Sequence, residues 1–154
     1  MTLKIVTATP TITAGAYSAG DAVGGLLEFE GVASPYDRGA IIVAATLIDK
    51  AAQKALMRLI LFDRTFTPTA DNAPFDPTDA DLANVLKYLT FAATDYISFN
   101  DNSMAQRLGD LGDAVLASVV LAEGGTSLFG QLVTGGTPTY ASTSDLIVKL
   151  TIER

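Results

Sequence analysis

The sequence predicts a mostly β protein: an antiparallel two-sheet sandwich of jelly-roll type with one short α-helix. Two observations carry this. Short apolar segments with period-two alternation recur from end to end. Clusters of Gly, Pro and Asp punctuate them at short intervals, as hairpins and surface loops require. A third observation limits the chemistry: the 154 residues contain no His and no Cys. The length suits one domain, 1–154, large enough to bury a core without a disulfide or a structural metal. Residues 1–20 are expected to include an extended N-terminal arm.

The elements follow in order. Leu3 to Ala8 is a short strand that Thr9-Pro10 stops. Thr11 to Gly20, rich in Gly, Ala and Thr, reads as an arm or loop lying against a neighbour. After Gly24-Gly25, Leu27 and Phe29 face the core while Glu28 and Glu30 face water. Ser34 to Gly39 is a turn. Ile41 to Ile48 is apolar on both faces, with Ile41, Val43, Ala45 and Leu47 on one and Ile42, Ala44, Thr46 and Ile48 on the other. Such a strand is buried on both sides or has its outer face covered by an interface. Asp49 to Lys54 is a polar connection, and Leu56 to Phe62 is a strand with Arg58 its one charge. A long loop, Asp63 to Thr78, carries Pro68, Pro74 and Pro77.

The helix is expected from Pro77 to Tyr88. Asp76 caps it, Pro77 takes the first helical position, and Asp79 and Asp81 lie at the positive end of the dipole. Leu82, Val85, Leu86 and Leu89 make a stripe at helical spacing. Tyr96 to Phe99 is a strand ended by Asn100-Asp101-Asn102-Ser103. Gly109 and Gly112 mark an irregular segment. Val115 to Ala122 and Leu128 to Val133 are strands separated by Glu123-Gly124-Gly125. Gly135 to Tyr140 is a loop. In the last strand Leu146, Val148, Leu150 and Ile152 face the core and Lys149, Thr151 and Glu153 face outward. The count is about eight strands, with no internal repeat of a solenoid or propeller.

The net charge is −7 with ten Lys and Arg scattered singly, so the chain offers no basic patch and no direct nucleic-acid partner is expected. Hydrophobic residues make up 49% and charged ones 18%, below the roughly 25% charged of an average domain. A chain this apolar is expected to cover part of its surface with a partner. No apolar run reaches the length of a membrane span. The first residues lack the basic region and apolar core of a signal peptide, so synthesis in the cytoplasm is expected.

Ser–His and Cys–His nucleophiles are excluded by composition, and no Ser-x-x-Lys spacing occurs. An acid-pair hydrolase would draw on Asp76, Asp79 and Asp81; helix capping accounts for the same residues. The Asp71 loop fails the EF-hand pattern, since Asp76 stands at its sixth position and Leu82 at its twelfth. An irregular calcium site would use Asp71, Asn72 and Asp76. Asn100 to Asn102 reads as a turn. The pairs Gly24-Gly25, Gly124-Gly125 and Gly135-Gly136 match no phosphate loop and read as glycines supplying positive φ. No catalytic residue, metal or cofactor is assigned, and no enzyme activity is expected. Four aromatics in loops or turns, Tyr17, Tyr36, Phe66 and Phe75, are the candidate partner contacts.

Five stretches, in order along the chain, carry a family resemblance. They are Gly15 to Gly25, Leu61-Phe62-Asp63, Thr69 to Phe75, Asp79-Ala80-Asp81-Leu82 and Gly136 to Leu146. The set resembles small structural proteins of tailed bacteriophages, including the capsid cement or decoration proteins. The resemblance implies a jelly-roll protein on the exterior of the virion capsid. It would self-associate as a homodimer or homotrimer and reinforce contacts between subunits of the major capsid protein. No catalytic residue belongs to that role. The alternative is a carbohydrate- or receptor-binding sandwich of a phage tail or adhesin, in which loop Tyr and Phe stack on sugars.

Overall fold

A computed structural model describes residues 2–109 and 117–154. The described residues form ten strands: β1 (Leu3–Ala8), β2 (Ala22–Phe29), β3 (Gly39–Asp49), β4 (Met57–Phe62), β5 (Val85–Phe91), β6 (Tyr96–Phe99), β7 (Asn102–Leu108), β8 (Ala117–Val120), β9 (Leu128–Thr134) and β10 (Leu146–Glu153). One short helix, α1 (Asp79–Leu82), precedes β5. All pairings are antiparallel. The larger sheet runs β1-β10-β3-β7-β6, with β8 also on β3, and the smaller runs β2-β9-β4-β5.

The pairing is nested. First strand meets last in β1–β10, then β2 meets β9, β3 meets β7, and β4 meets β5. Successive pairs fall alternately in the larger and smaller sheets. That is the topology of a hairpin rolled into two sheets, a jelly roll, with β6 and β8 added to the larger one. One apolar cluster fills the space between the sheets; Phe29, Leu47, Leu59, Phe91, Leu132 and Val148 are among its fully buried members.

The inward and outward faces of β10 are those its alternation predicts: Leu146, Val148, Leu150 and Ile152 are buried and Lys149 is exposed. β2 buries Leu27 and Phe29 and exposes Glu28. Asn100, at φ 58°, and Asp101 make the tight turn between β6 and β7. Of the expected strand Val115–Ala122, Val115 and Leu116 lie outside the described residues, as does Gly112.

Three expectations are corrected. The first is the helix Pro77–Tyr88. Only Asp79–Leu82 is helical, and its cap is Thr78, not Asp76: the Thr78 hydroxyl accepts from the Asp81 N–H. Val85, Leu86 and Leu89 belong to β5, which pairs with β4. Leu89 and Phe91 alternate with exposed Tyr88 and half-buried Thr90. The stripe fits the helical period, and pairing with the buried β4 overrode it.

The second correction is the facing within β3. Its register against β10 slips so that Val43 is an extra residue between Ile42 and Ala44. This bulge reverses the alternation: Ile42, Ala45 and Leu47 are buried, while Ile41 shares the outer face with Ala44, Thr46 and Ile48. The third concerns residues 1–20, which are no extended arm. β1 is the strand its sequence predicts, and in the segment that follows Ile12 and Tyr17 are buried and Ala16 bridges to Thr139.

Candidate interaction surface

The two sheets treat their outer faces differently. On the smaller sheet the loop between β4 and α1 lies across the outside. Phe66 stacks on Phe62, ring centroids 3.8 Å apart and planes 15° from parallel. Gln131 of β9, fully buried, grips the loop backbone: its Oε1 accepts from the Thr69 N–H at 3.0 Å and its Nε2 donates to the Thr69 carbonyl at 2.7 Å. The same Nε2 donates to the Gly24 carbonyl at 2.9 Å. The loop thus makes a third layer.

Asp71 secures the other end of this layer. Its Oδ1 accepts from the Tyr17 hydroxyl and the Gly24 N–H, both at 2.6 Å, and its Oδ2 accepts from the Thr13 hydroxyl at 2.6 Å. Tyr17 in turn accepts from the Thr13 N–H at 2.7 Å. Gly24 sits in an irregular stretch of β2 at φ +75°, and a Cβ there would lie 2.6 Å from Pro10 Cβ. Only glycine fits both demands. Displaced from the ladder, its two backbone groups find side-chain partners in Asp71 and Gln131, as a buried bulge requires. Gly135 does not have the positive φ expected of it; a Cβ there would crowd only the movable tip of Leu56.

The aromatic candidates divide. Tyr17 is buried, its hydroxyl on Asp71 and its ring edge-on to Tyr140, centroids 5.8 Å apart. Phe66 is buried against Phe62. Both are buried within their own chain, Tyr17 against other loops and Phe66 against β4, and neither offers the partner contact expected of it. Phe75 is half-buried, with its N–H on the Gly20 carbonyl. Tyr36 stands fully exposed in the Ser34–Asp37 turn.

Burial, then the hydrogen bond to Asp71, pushes the Tyr17 hydroxyl up to about 12. Burial also raises Tyr96 and Tyr140, helped by the negative charge of Asp49. Asp49 is itself buried and receives the N–H groups of Ala51 and Lys54 at 3.0 and 2.9 Å. It fixes a tight loop in which Ala52 and Lys54 adopt positive φ.

The acidic candidates serve local structure as well. The Asp81 carboxylate accepts from the Thr78 hydroxyl and the Thr67 N–H. Asp71 spends its oxygens on three protein donors. Among the described residues, no group of three or more acidic side chains is placed to hold a metal ion.

The outer face of the larger sheet has no such third layer among the described residues. Registers place its side chains in rows. Ile5, Thr151, Ala44 and Leu108 form one row across β1, β10, β3 and β7. Thr7, Lys149, Thr46 and Gln106 form the next. Ile147, Ile48, Met104 and Ile97 form the third, across β10, β3, β7 and β6. On the other side of the Ile5 row lie Leu3, Glu153 and Ile41. Leu3, Ile5, Leu108 and Ile97 are 61, 64, 59 and 61% exposed. Sequence reading missed this surface as a unit, although the doubly apolar β3 was its signal. A shallow cleft of about 350 Å³ opens beside it at the start of β3, lined by Asp37, Val120, Glu153 and Arg154 among others.

The chain matches no protein-family model, and no curated protein matches it. No helix among the described residues is long and apolar enough to cross a membrane.

Proposed function

We propose that this protein is a virion structural protein: a capsid cement that self-associates on the exterior of a tailed-phage head and reinforces contacts between major capsid subunits. The observation that carries the reading is the asymmetry of the sandwich. Part of one outer face is covered by the chain's own loop; the other, which exposes Leu3, Ile5, Leu108 and Ile97, has no such cover among the described residues. A surface of this kind supports association. The resemblance of Gly15–Gly25, Thr69–Phe75 and Gly136–Leu146 to phage structural proteins points to the setting. Many identical copies on a shell would turn a modest affinity per contact into firm attachment. Tyr36 and Phe75 are the loop aromatics available to the shell.

The test is co-sedimentation of the purified protein with heads of the phage that encodes it, stripped of the protein. Saturable binding at a fixed copy number, with release of packaged DNA shifted to higher temperature, is the expected result. Heads that neither bind it nor gain stability would overturn the reading. A second reading, a carbohydrate- or receptor-binding module of a tail or adhesin, draws on the fully exposed Tyr36, and glycan binding lost in Tyr36→Ala would favour it.

A further inference from the structure

We propose that the outer face of the larger sheet, uncovered among the described residues, is where two copies of this chain pack sheet to sheet, about a two-fold axis running across the strands near Thr151 and Ala44. The inference rests on the self-association in the cement reading and names its surface.

Charge is the first argument. The chain carries −7, so two copies repel wherever acidic surfaces meet. On this face the described strands present two charges of opposite sign, Lys149 and Glu153, both outward on β10. Its net charge is therefore zero. Neither residue has an ion pair among the described residues. Four residues apart on a strand, they stand about 13 Å from each other, beyond direct contact within one copy. A two-fold axis across the strands near Thr151 lays each β10 antiparallel over its partner. Lys149 of each copy then faces Glu153 of the other, so the contact is self-complementary, as an isologous interface must be. The row on the axis, Ile5-Thr151-Ala44-Leu108, is uncharged and includes two of the most exposed large apolar side chains.

Area sets the strength of the contact. With the axis at Thr151, β10 overlies its partner only from Lys149 to Glu153 and β6 lies outside the contact, which leaves an overlap of roughly 20 by 20 Å. Two such faces would remove about 800 Å² from water, the size of a weak, concentration-dependent association. Aligned packing of sheets about 10 Å apart is a standard arrangement, and here it would extend the sandwich to four sheets.

The experiment is a charge swap read by sedimentation velocity and light scattering of the full chain across a concentration series. Wild type is expected to dimerise toward the upper end of the series. Lys149→Glu sets like charges together across the axis and weakens the dimer about tenfold or more. Ile5→Asp does the same. The double variant Lys149→Glu/Glu153→Lys recovers the dimer, which a lesion confined to one copy would not allow. Tyr88→Asp, equally exposed but on the smaller sheet, leaves it unchanged. Circular dichroism confirms that each variant is folded. A monomeric wild type overturns the inference, as does a dimer indifferent to both Lys149→Glu and Ile5→Asp, or a double variant that stays dissociated. Head binding by the same variants is scored separately. A monomer that decorates heads keeps the cement reading and discards this interface; a dimer through this face that ignores heads does the reverse.

Discussion

Removing the Asp71 carboxylate should loosen the third layer of the sandwich more than any other single polar change. Three donors converge on it: the Tyr17 and Thr13 hydroxyls and the Gly24 N–H, each at 2.6 Å. Hydrogen bonds to a charged group contribute about 1.5–3 kcal/mol apiece. In Asp71→Ala the two hydroxyls can turn toward water, recovering part of that. The Gly24 N–H is fixed in a buried irregular strand and cannot turn, and an orphaned donor of this kind costs about 1–3 kcal/mol. The sum is roughly 3–5 kcal/mol, a large share of the ~5–15 kcal/mol that holds a typical domain folded. Asp71→Asn keeps an acceptor for Tyr17 and Gly24, and the Thr13 hydroxyl can reverse to accept from the new amide. Its cost should be about 1–2 kcal/mol, the charge alone. Equilibrium urea unfolding, followed by tyrosine fluorescence and far-ultraviolet circular dichroism, measures both. A double-mutant cycle with Tyr17→Phe should return a coupling of about 1 kcal/mol or more. An Asp71→Ala protein within ~1 kcal/mol of wild type, or an Asn variant as damaged as the Ala one, would refute the reasoning.

Three further outcomes are expected. Val148→Asp should abolish cooperative unfolding at neutral pH, because it places a carboxylate in a fully buried site between Ala8 and Leu47. Lys149→Asp should keep the native circular dichroism spectrum, and the reverse ranking would mean that β10 faces the other way. Stability should be full below pH 10 and decline as the pH rises through about 12. Tyr17 holds its proton more tightly folded than unfolded, and Tyr96 and Tyr140 are shifted in the same direction. Tyrosinate absorbance rising near pH 10 for all five tyrosines without unfolding would contradict this. Gly24→Ala should cost clearly more than Gly124→Ala in thermal melts. Both glycines have positive φ, but only the first meets a neighbour, at 2.6 Å, while the second faces open space. Equal losses would mean that Pro10 gives way.

Much of the fold is legible in the chain because sheet strands with one wet face betray themselves by alternation. β2 and β10 announce their inward residues through polar residues that alternate with apolar ones, Glu28 and Glu30 in one case and Lys149, Thr151 and Glu153 in the other. β5 misleads because Leu82, Val85, Leu86 and Leu89 satisfy a helical stripe, and the pairing that makes them a strand comes from Met57–Phe62. The β3 bulge is invisible for a similar reason: Val43 looks like its neighbours, and only the slip against Thr151 and Ile152 reveals it as the extra residue. Nor could Gln131 be picked out. Its role depends on Thr69 and Gly24, distant in sequence and carrying no periodic signal. Tyr17 and Phe66 lie in loops, as their sequence context predicts. Whether a loop aromatic turns outward or plugs its own sheet is decided by what lies beneath, here Phe62 and Tyr140.

The nested strand order also bears on how the chain reaches its structure. Leu59 meets Leu89, Leu47 meets Ala105, Val23 meets Leu132 and Val6 meets Leu150. Each pairing encloses the one before it. Closing the outermost pair from a disordered chain is entropically the most expensive, but every inner pair already formed shortens the free segment still to be closed. Assembly should therefore run from the β4–β5 pair outward, slowly for a chain of this size, because most of its contacts are distant in sequence. Substitutions in the β4–β5 pair would then slow folding, whereas those in the β1–β10 pair, joined last, would chiefly hasten unfolding.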